Sequence, residues 1–193
     1  MRNRFLIALA LAASLAGSSA LAQTSTWTID PNHSSINFEI RHMGVSNVHG
    51  SIGGVKGTVA YDEKDITKSS VESTADTTTV ATGVEARDKH LKSPDFFEVD
   101  KFPTLTFKST SVSKAGGKLT LTGDLTLHGV TKSVTLDVDG PAPPQTDKDG
   151  KTRSGFSATG MLKRSDFNFG PKFGPAMVGD DVKFSIDVEI DKQ

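Results

Sequence analysis

The chain has 193 residues, with 22 lysine and arginine residues against 23 aspartate and glutamate residues, and it contains no cysteine. This length suits one domain or at most two small ones. The formal net charge of −1 offers no basic face for nucleic acid. Without cysteine the chain forms no disulfide, thiolate metal site, iron–sulfur cluster or cysteine nucleophile.

The first 22 residues have the pattern of a cleavable secretory signal peptide. Arg2 and Arg4 precede a short apolar run, and small residues with an A-x-A motif follow, ending at Ala22. These features are typical of export signals, whereas a membrane span needs about 20 apolar residues. We therefore expect export to the periplasm, no stable membrane anchor, and a mature domain of residues 23–193.

From Thr26 onward, apolar and polar residues alternate along the chain. Alternation of this kind predicts antiparallel strands with one buried and one solvated face. The segments with this pattern are 36–40, 55–61, 104–108, 119–127, 133–138 and 182–190, with weaker candidates at 26–30, 70–79 and 156–164. The sequence thus predicts an all-β domain of about eight or nine strands.

Short turns separate several of these segments, so consecutive strands are expected to pair as hairpins. Gly116-Gly117 and His128-Gly129 are the residue pairs expected in such turns. A meander of antiparallel strands removes its exposed edges by closing into an up-and-down barrel. The predicted fold is therefore an extended antiparallel barrel of about eight strands.

A short helix is predicted where the alternation stops, over residues 84–92. Thr82 and Glu85 have the spacing of a capping box, and Pro94 follows the run. A single helix that crosses between two strands can cover the mouth of a barrel. We therefore place this helix near the barrel mouth.

The strand positions predicted to face the interior mix large apolar residues with small ones. The small residues are Gly57, Ser73, Ala75, Gly123, Ala158 and Gly160. A barrel of about eight strands either fills with side chains or encloses room for one ligand. The pattern alone leaves both alternatives open, and a ligand held there would be mostly hydrocarbon.

Motifs for metal binding or catalysis are weak, so we expect no metal, no cofactor and no catalytic residues. The five histidines do not have H-x-H or H-E-x-x-H spacing. His42 shares the inward-facing positions of its strand and is either a polar contact for a ligand head group or a hydrogen-bonded residue at the strand end. Arg87, Asp88 and His90 either gate a pocket or attach the helix to the barrel rim through ion pairs.

Several motifs resemble those of the YceI family. They are W-T-I-D-P-N-H-S over 27–34, A-R-D-K-H-L-K-S-P-D-F-F over 86–97, F-P-T-L-T-F-K-S-T over 102–110, G-D-L-T-L-H-G-V-T over 123–131 and M-L-K-R-S-D-F over 161–167. The resemblance extends in order over residues 26–190. It implies a lipocalin-like barrel whose tunnel holds a polyisoprenoid or another long-chain amphiphile, and a periplasmic location. It also allows a homodimer.

This resemblance and the weak catalytic motifs imply a non-enzymatic periplasmic carrier for a polyisoprenoid or similar lipid, and the net charge of −1 argues against nucleic acid as a partner. The residues predicted to contact the ligand are Phe38, Ile40, His42, Phe97, Phe102, Leu105, Phe107, Leu125, Leu127, Phe156, Phe184 and Ile186. Two alternatives are an enzyme that modifies the bound lipid, with His42 or the cluster on the helix as acid–base groups, and a stress-response structural protein with a filled barrel.

Overall fold

A computed structural model describes residues 24–193, so the predicted signal peptide over 1–22 lies outside the described residues. The strands are β1 Thr24–Ile29, β2 Ser35–His42, β3 Ser46–Ile52, β4 Lys56–Asp62, β5 Ser70–Asp76, β6 Thr104–Ala115, β7 Lys118–Leu127, β8 Val130–Asp139, β9 Gln145–Thr146, β10 Thr152–Lys163 and β11 Val178–Lys192. The helix α1 spans Glu85–Lys92, and 3₁₀ helices span Ile66–Lys68, Thr77–Thr79 and Arg164–Phe167. Within 24–193, no helix has the length and apolar character required to cross a membrane.

Antiparallel pairing closes the strands into the predicted eight-stranded barrel. β1 and β2 share one position in the ring, because both pair with the same edge of β11. β3 and β4 share the next position, since β3 pairs with β2 and β4 pairs with β1. The remaining long strands follow in chain order, and pairing of β10 with β11 completes the ring.

The connections between strands alternate between the two ends of the barrel. The register places α1 and the β2–β3, β7–β8 and β10–β11 connections at one end, which we call the mouth end. The predicted turn at His128-Gly129 is confirmed there, with φ of 51° and 74°. Positive φ at both central residues matches the twist of a tight hairpin.

The part of the barrel away from the mouth end is filled by side chains. Trp27 is fully buried and pairs across the sheet with Val59, while Ile29 pairs with Ile190. Trp27 Nε1 donates a hydrogen bond to Ser25 Oγ at 2.8 Å, so its polar atom is satisfied inside this core. The alternation of apolar residues along β1, β4 and β11 thus produces the packing that it predicts.

Two local features differ from the expectation. The strand β3 is absent from the predicted set, because Val48 and Ile52 are its only large apolar residues. The candidate strand over 70–79 ends at Asp76, whose side chain accepts a hydrogen bond from the Thr78 amide at 2.9 Å and caps a 3₁₀ helix. Local hydrogen bonding by aspartate therefore overrides the alternation there.

Helix α1 is present as predicted, but the capping box is wrong. Val84 occupies the N-cap and makes no side-chain hydrogen bond. The Thr82 amide and hydroxyl both donate to Asp88 Oδ1, at 2.8 and 2.5 Å. Asp88 within the helix, rather than Glu85 at its start, therefore binds the chain that precedes it.

A buried arginine organises the β10–β11 connection at the mouth end. Arg164 is 4% exposed, and its guanidinium donates hydrogen bonds to five backbone carbonyls. The acceptors are the carbonyl oxygens of Phe169, Gly170, Phe173, Val178 and Gly179. Because guanidinium presents five N–H groups in a planar fork, one side chain fixes the whole connection.

Arg164→Lys is expected to loosen this connection while leaving the strands in place. An ammonium group cannot reach all five carbonyls, so the loss should be roughly 3 kcal/mol of unfolding free energy. Denaturant unfolding should report this loss, and amide exchange should become faster over residues 168–178. Lys163→Ala is the control, since its ion pair with Asp181 is exposed and contributes about 0–1 kcal/mol. Equal stability of the two variants would contradict the assigned role of Arg164.

Candidate functional site

The barrel encloses a cavity of about 380 Å³ toward the mouth end. Its wall is formed mostly by apolar side chains, which come from β1–β3, β5–β8, β10, β11, α1 and the adjoining connections. This volume lies within the range of about 300–1,000 Å³ that small-molecule sites have. The alternative of a filled barrel is therefore wrong for this part of the interior.

The structure brings nearly all the predicted ligand contacts to the cavity wall. The residues found there are Phe38, Ile40, His42, Phe97, Leu105, Phe107, Leu125, Leu127, Phe156, Phe184 and Ile186. His42 lies at the end of β2 and is exposed, so it borders the mouth and is not inside the bore. Whether these side chains contact a ligand stays a prediction.

Phe102 lies elsewhere. Its ring packs edge-on against His128, with centroids 5.0 Å apart, and covers Gly129 of the β7–β8 turn. Its amide donates to the Glu98 carbonyl, and its own carbonyl accepts from Thr77 Oγ1 at 2.8 Å. These local hydrogen bonds direct the side chain onto the turn, away from the cavity.

Sequence reasoning missed part of the wall. Leu121, Val134 and Leu136 line the cavity, and their place in the strand alternation was a sufficient signal for them. Phe96, Phe169, Phe173 and Met177 also line it but lie in connections. Residues in connections do not alternate between inside and outside as strand residues do. Their positions depend on tertiary contacts, so the sequence pattern does not predict them.

Three phenylalanines of the wall lie over glycines of a neighbouring strand. The pairs are Phe38 over Gly50, Phe107 over Gly123 and Phe184 over Gly160. A Cβ atom placed on these glycines would be 2.3, 2.5 and 2.6 Å from the Cζ atom of the respective ring. Each ring therefore lies flat against the barrel wall in space that a side chain would otherwise fill, and the bore stays open.

The ionisable side chains of the wall are all basic. They are Arg41, His42, Arg87, His90 and Arg164. No carboxylate of residues 24–193 contributes to the wall. Except for Arg164, these residues come from the end of β2 and from α1, so the polar part of the cavity lies at its mouth.

The connections at the mouth end pack against each other through aromatic rings. Phe96 and Phe173 stack with centroids 5.0 Å apart and planes 8° from parallel, and the His90 ring meets both edge-on. Asp95 Oδ1 lies 2.6 Å from Lys172 Nζ, and Asp95 Oδ2 lies 3.2 Å from His90 Nε2. Hydrogen bonds lower the pKa of the Asp95 carboxyl group, and the bond from Lys172 contributes more than the bond from His90.

The cluster on the helix combines two roles. Arg87 Nε donates to Thr82 Oγ1 at 2.7 Å, and Asp88 accepts from Thr82, so both residues attach α1 to the chain before it. Arg87 and His90 also border the cavity. Arg87 and Asp88 therefore make hydrogen bonds and no ion pair among the described residues, whereas His90 lies 3.2 Å from Asp95, which also pairs with Lys172 of the β10–β11 connection. A gating role stays a prediction.

Asp30, His33 and Glu189 form the one group of possible metal ligands among the described residues, and it lies outside the cavity wall. His33 Nδ1 is 2.7 Å from Asp30 Oδ2 and 3.9 Å from Glu189 Oε1. Arg153 Nε lies 3.4 Å from Glu189 Oε1, so a positive charge already occupies one side of the group. The group is an ion-pair network that connects the β1–β2 bend to β10 and β11.

The Asp30–His33 pair predicts a measurable pH dependence. The hydrogen bond from His33 lowers the pKa of Asp30, and the hydrogen bond to Asp30, with the Glu189 charge, raises the pKa of His33. The contribution of His33 to stability is therefore complete below its ordinary pKa of about 6.5 and is lost as the pH rises through the raised value. The contribution of Asp30 is present above its ordinary pKa and is lost as the pH falls through the lowered value.

An NMR titration of the His33 ring should give a pKa above 6.5, and Asp30→Asn should shift the pKa of His33 downward. Asp65→Asn is the control, because Asp65 interacts with Thr67 and Lys68 and not with His33. The network would be misassigned if Asp30→Asn and Asp65→Asn gave the same His33 titration.

Gly160→Ala is expected to reduce the cavity. The added methyl would lie 2.6 Å from Phe184 Cζ and 3.0 Å from Leu136 Cδ2, so the ring must rotate into the bore. Such overpacking costs about 1–3 kcal/mol. A crystal structure of the variant should show the displaced ring and a smaller cavity. Gly174→Ala is the control, since nothing lies within 4 Å of its Cβ position.

Comparisons with known proteins agree with this geometry. A family model of the YceI-like domain matches residues 27–190. Protein YceI of Shigella flexneri is 42% identical over 177 residues, which cover 91% of this chain and 92% of that protein. Protein YceI of Escherichia coli O157:H7 has the same identity and coverage.

Solved structures share the fold. The crystal structure of the Campylobacter jejuni YCEI protein superimposes with a TM-score of 0.71 and 32% sequence identity, covering 79% of this chain and 90% of that one. A polyisoprenoid binding domain from Saccharophagus degradans has a TM-score of 0.63 and 14% identity, covering 86% of this chain and 98% of that one, and it supports the fold alone. The resemblance found in the sequence is confirmed, and the chain belongs to the YceI family.

Proposed function

We propose that the protein binds a polyisoprenoid or a similar long-chain amphiphile in its barrel cavity and carries it through the periplasm. The single observation that carries this proposal is the apolar cavity inside the barrel, which has its polar side chains at one end. A hydrocarbon chain would occupy the bore, and its polar head would lie at the mouth.

The energetics favour a chain-like apolar ligand. Each CH₂ group removed from water contributes about 0.8 kcal/mol of binding free energy. A long hydrocarbon tail is therefore stabilised when it is buried in a cavity lined by Phe, Leu, Ile and Val. The ordering of a flexible chain opposes binding, and drug-sized ligands reach only about 0.3 kcal/mol per heavy atom. We therefore expect the affinity to increase with chain length more than with the chemistry of the head group.

The fold comparison supports the ligand class. The neighbour from Saccharophagus degradans is described as a polyisoprenoid binding domain implicated in plant cell wall breakdown. This chain shares its architecture at low sequence identity, and the apolar wall of its own cavity suits the same kind of ligand. The signal-peptide pattern over residues 1–22 supports the periplasmic location.

Binding without catalysis is part of the proposal. One arrangement favours the enzymatic alternative: His90 Nε2 lies 3.2 Å from Asp95 Oδ2 at the edge of the cavity, which orients an imidazole. Asp95 also binds Lys172 at 2.6 Å, and the His90 ring packs against Phe96 and Phe173. These contacts give the pair a structural role in the packing of the mouth.

Organic extraction of the purified protein and mass spectrometry of the extract test the proposal. We expect about one long-chain lipid per barrel in the wild type. Ala158→Phe should remove it, because Ala158 is 2% exposed and lines the cavity, so a phenyl ring there fills the bore. Phe107→Asp should also remove it, because an unpaired carboxylate in an apolar wall is strongly unfavourable.

Thr106→Asp is the matched control, since Thr106 precedes Phe107 on β6 and is exposed on the outer face. Circular dichroism should show that each variant is folded. A folded Ala158→Phe variant that keeps its lipid would overturn the proposed site. A chemically altered lipid that accumulates with the wild type, but not with His90→Ala, would support the enzyme.

A further inference from the structure

We infer that the protein docks on the surface of an anionic phospholipid bilayer through exposed apolar residues beside the cavity mouth. This inference rests on the proposed function, because a carrier for an insoluble lipid must exchange it with a membrane. The docking patch consists of Met43, Val45 and Met177. They are 61%, 79% and 53% exposed.

The three residues are brought together by the backbone. Met43 and Val45 belong to the β2–β3 turn, in which the Val45 amide donates to the His42 carbonyl at 3.0 Å. The Met43 amide donates to the Met177 carbonyl at 2.9 Å, which places the β10–β11 connection beside this turn. Isolated exposed apolar residues are ordinary on a protein surface, but three that adjoin one opening form a patch.

The patch is continuous with the cavity. Met177 belongs both to the patch and to the cavity wall, and its neighbour Val178 lines the wall as well. His42, which pairs with Val178 across the sheet, also borders the cavity. The docking patch therefore adjoins the cavity, and its contact with a bilayer would let a hydrocarbon chain move between the two without crossing water.

The charges around the mouth favour an anionic surface. Arg41 and Arg87 have no carboxylate within 4 Å among residues 24–193. Of the nearby acidic residues of β11, Asp181 is paired with Lys163, whereas Asp180 accepts hydrogen bonds from the neutral Ser165 and keeps its negative charge. Basic residues near a membrane surface are attracted by anionic lipids.

The same charges disfavour a second copy of this chain as the occupant. A symmetric dimer through this patch would bring the unpaired arginines of both copies toward one another, and like charges across an interface are unfavourable. The methionine side chains also suit a fluid surface, because their unbranched thioether chains adapt to irregular surroundings. A shallow interfacial contact by apolar and basic side chains has the chemistry of a peripheral membrane protein.

Co-sedimentation with vesicles tests the inference. The full mature protein should bind vesicles of phosphatidylglycerol and phosphatidylcholine in equal parts, and bind phosphatidylcholine vesicles much less, with binding reduced by added salt. The double variant Met43→Asn with Val45→Thr should bind the anionic vesicles at least about tenfold more weakly. Asparagine suits position 43 because the backbone there has a φ of 50°.

Met161→Gln is the matched control, because Met161 is also 61% exposed but lies on β10 and not in the docking patch. It should bind as the wild type does. The inference is overturned if the wild type does not bind anionic vesicles, or if the double variant and Met161→Gln bind alike. Light scattering completes the test: a wild-type dimer that the double variant abolishes would assign the patch to self-association and overturn membrane docking.

Extraction of lipid from the same samples separates this inference from the proposed function. If the double variant loses vesicle binding but still contains its lipid, the result supports both membrane docking through the patch and lipid binding in the cavity. A wild type that binds vesicles but yields no lipid on extraction contradicts the carrier proposal and leaves a membrane-docking barrel.

Discussion

The open interior depends on the contact between large aromatic rings and glycines of the adjacent strand. Phe38, Phe107 and Phe184 would fill the centre of a barrel of this size if their rings pointed along its radius. They lie over glycines instead, where an added Cβ would be 2.3, 2.5 and 2.6 Å away. Large and small residues thus interdigitate within the wall, and the bore remains for a ligand.

The mouth end is organised by different forces. The guanidinium of Arg164 supplies hydrogen bonds where the chain is not in a regular strand, by donating to three carbonyls of the β10–β11 connection and to the first two carbonyls of β11. Stacking of Phe96 on Phe173, 5.0 Å apart, then joins this connection to the segment after α1. The N–H groups of Arg164 are all satisfied within the mouth itself, so this buried charge needs no polar partner in the bore below it.

Alternation with a period of two makes most of the barrel predictable from the sequence. The closed barrel, the helix and the inward side of β2, β6, β7 and β11 are all evident from this pattern and its interruption, because each face of a strand has one environment. The strand β3 lacks that contrast, since its apolar residues are only Val48 and Ile52. The directions of Phe102 and Phe173 are not predictable in this way. Both residues lie in loops, where tertiary hydrogen bonds and ring stacking direct the side chain and the sequence has no alternating pattern.

The seam between the first and last strands has a consequence for biogenesis. β11 pairs with β1, β2 and β10, and the Gln193 amide donates to the Thr26 carbonyl at 3.0 Å, so the two ends of the described chain meet in one sheet. Contacts between residues so distant in sequence form slowly, because the chain between them must first be ordered. Before the final strand is in place no enclosed bore exists. Under the proposed binding function, the protein can therefore hold a ligand only after β11 has joined its three neighbours in the sheet.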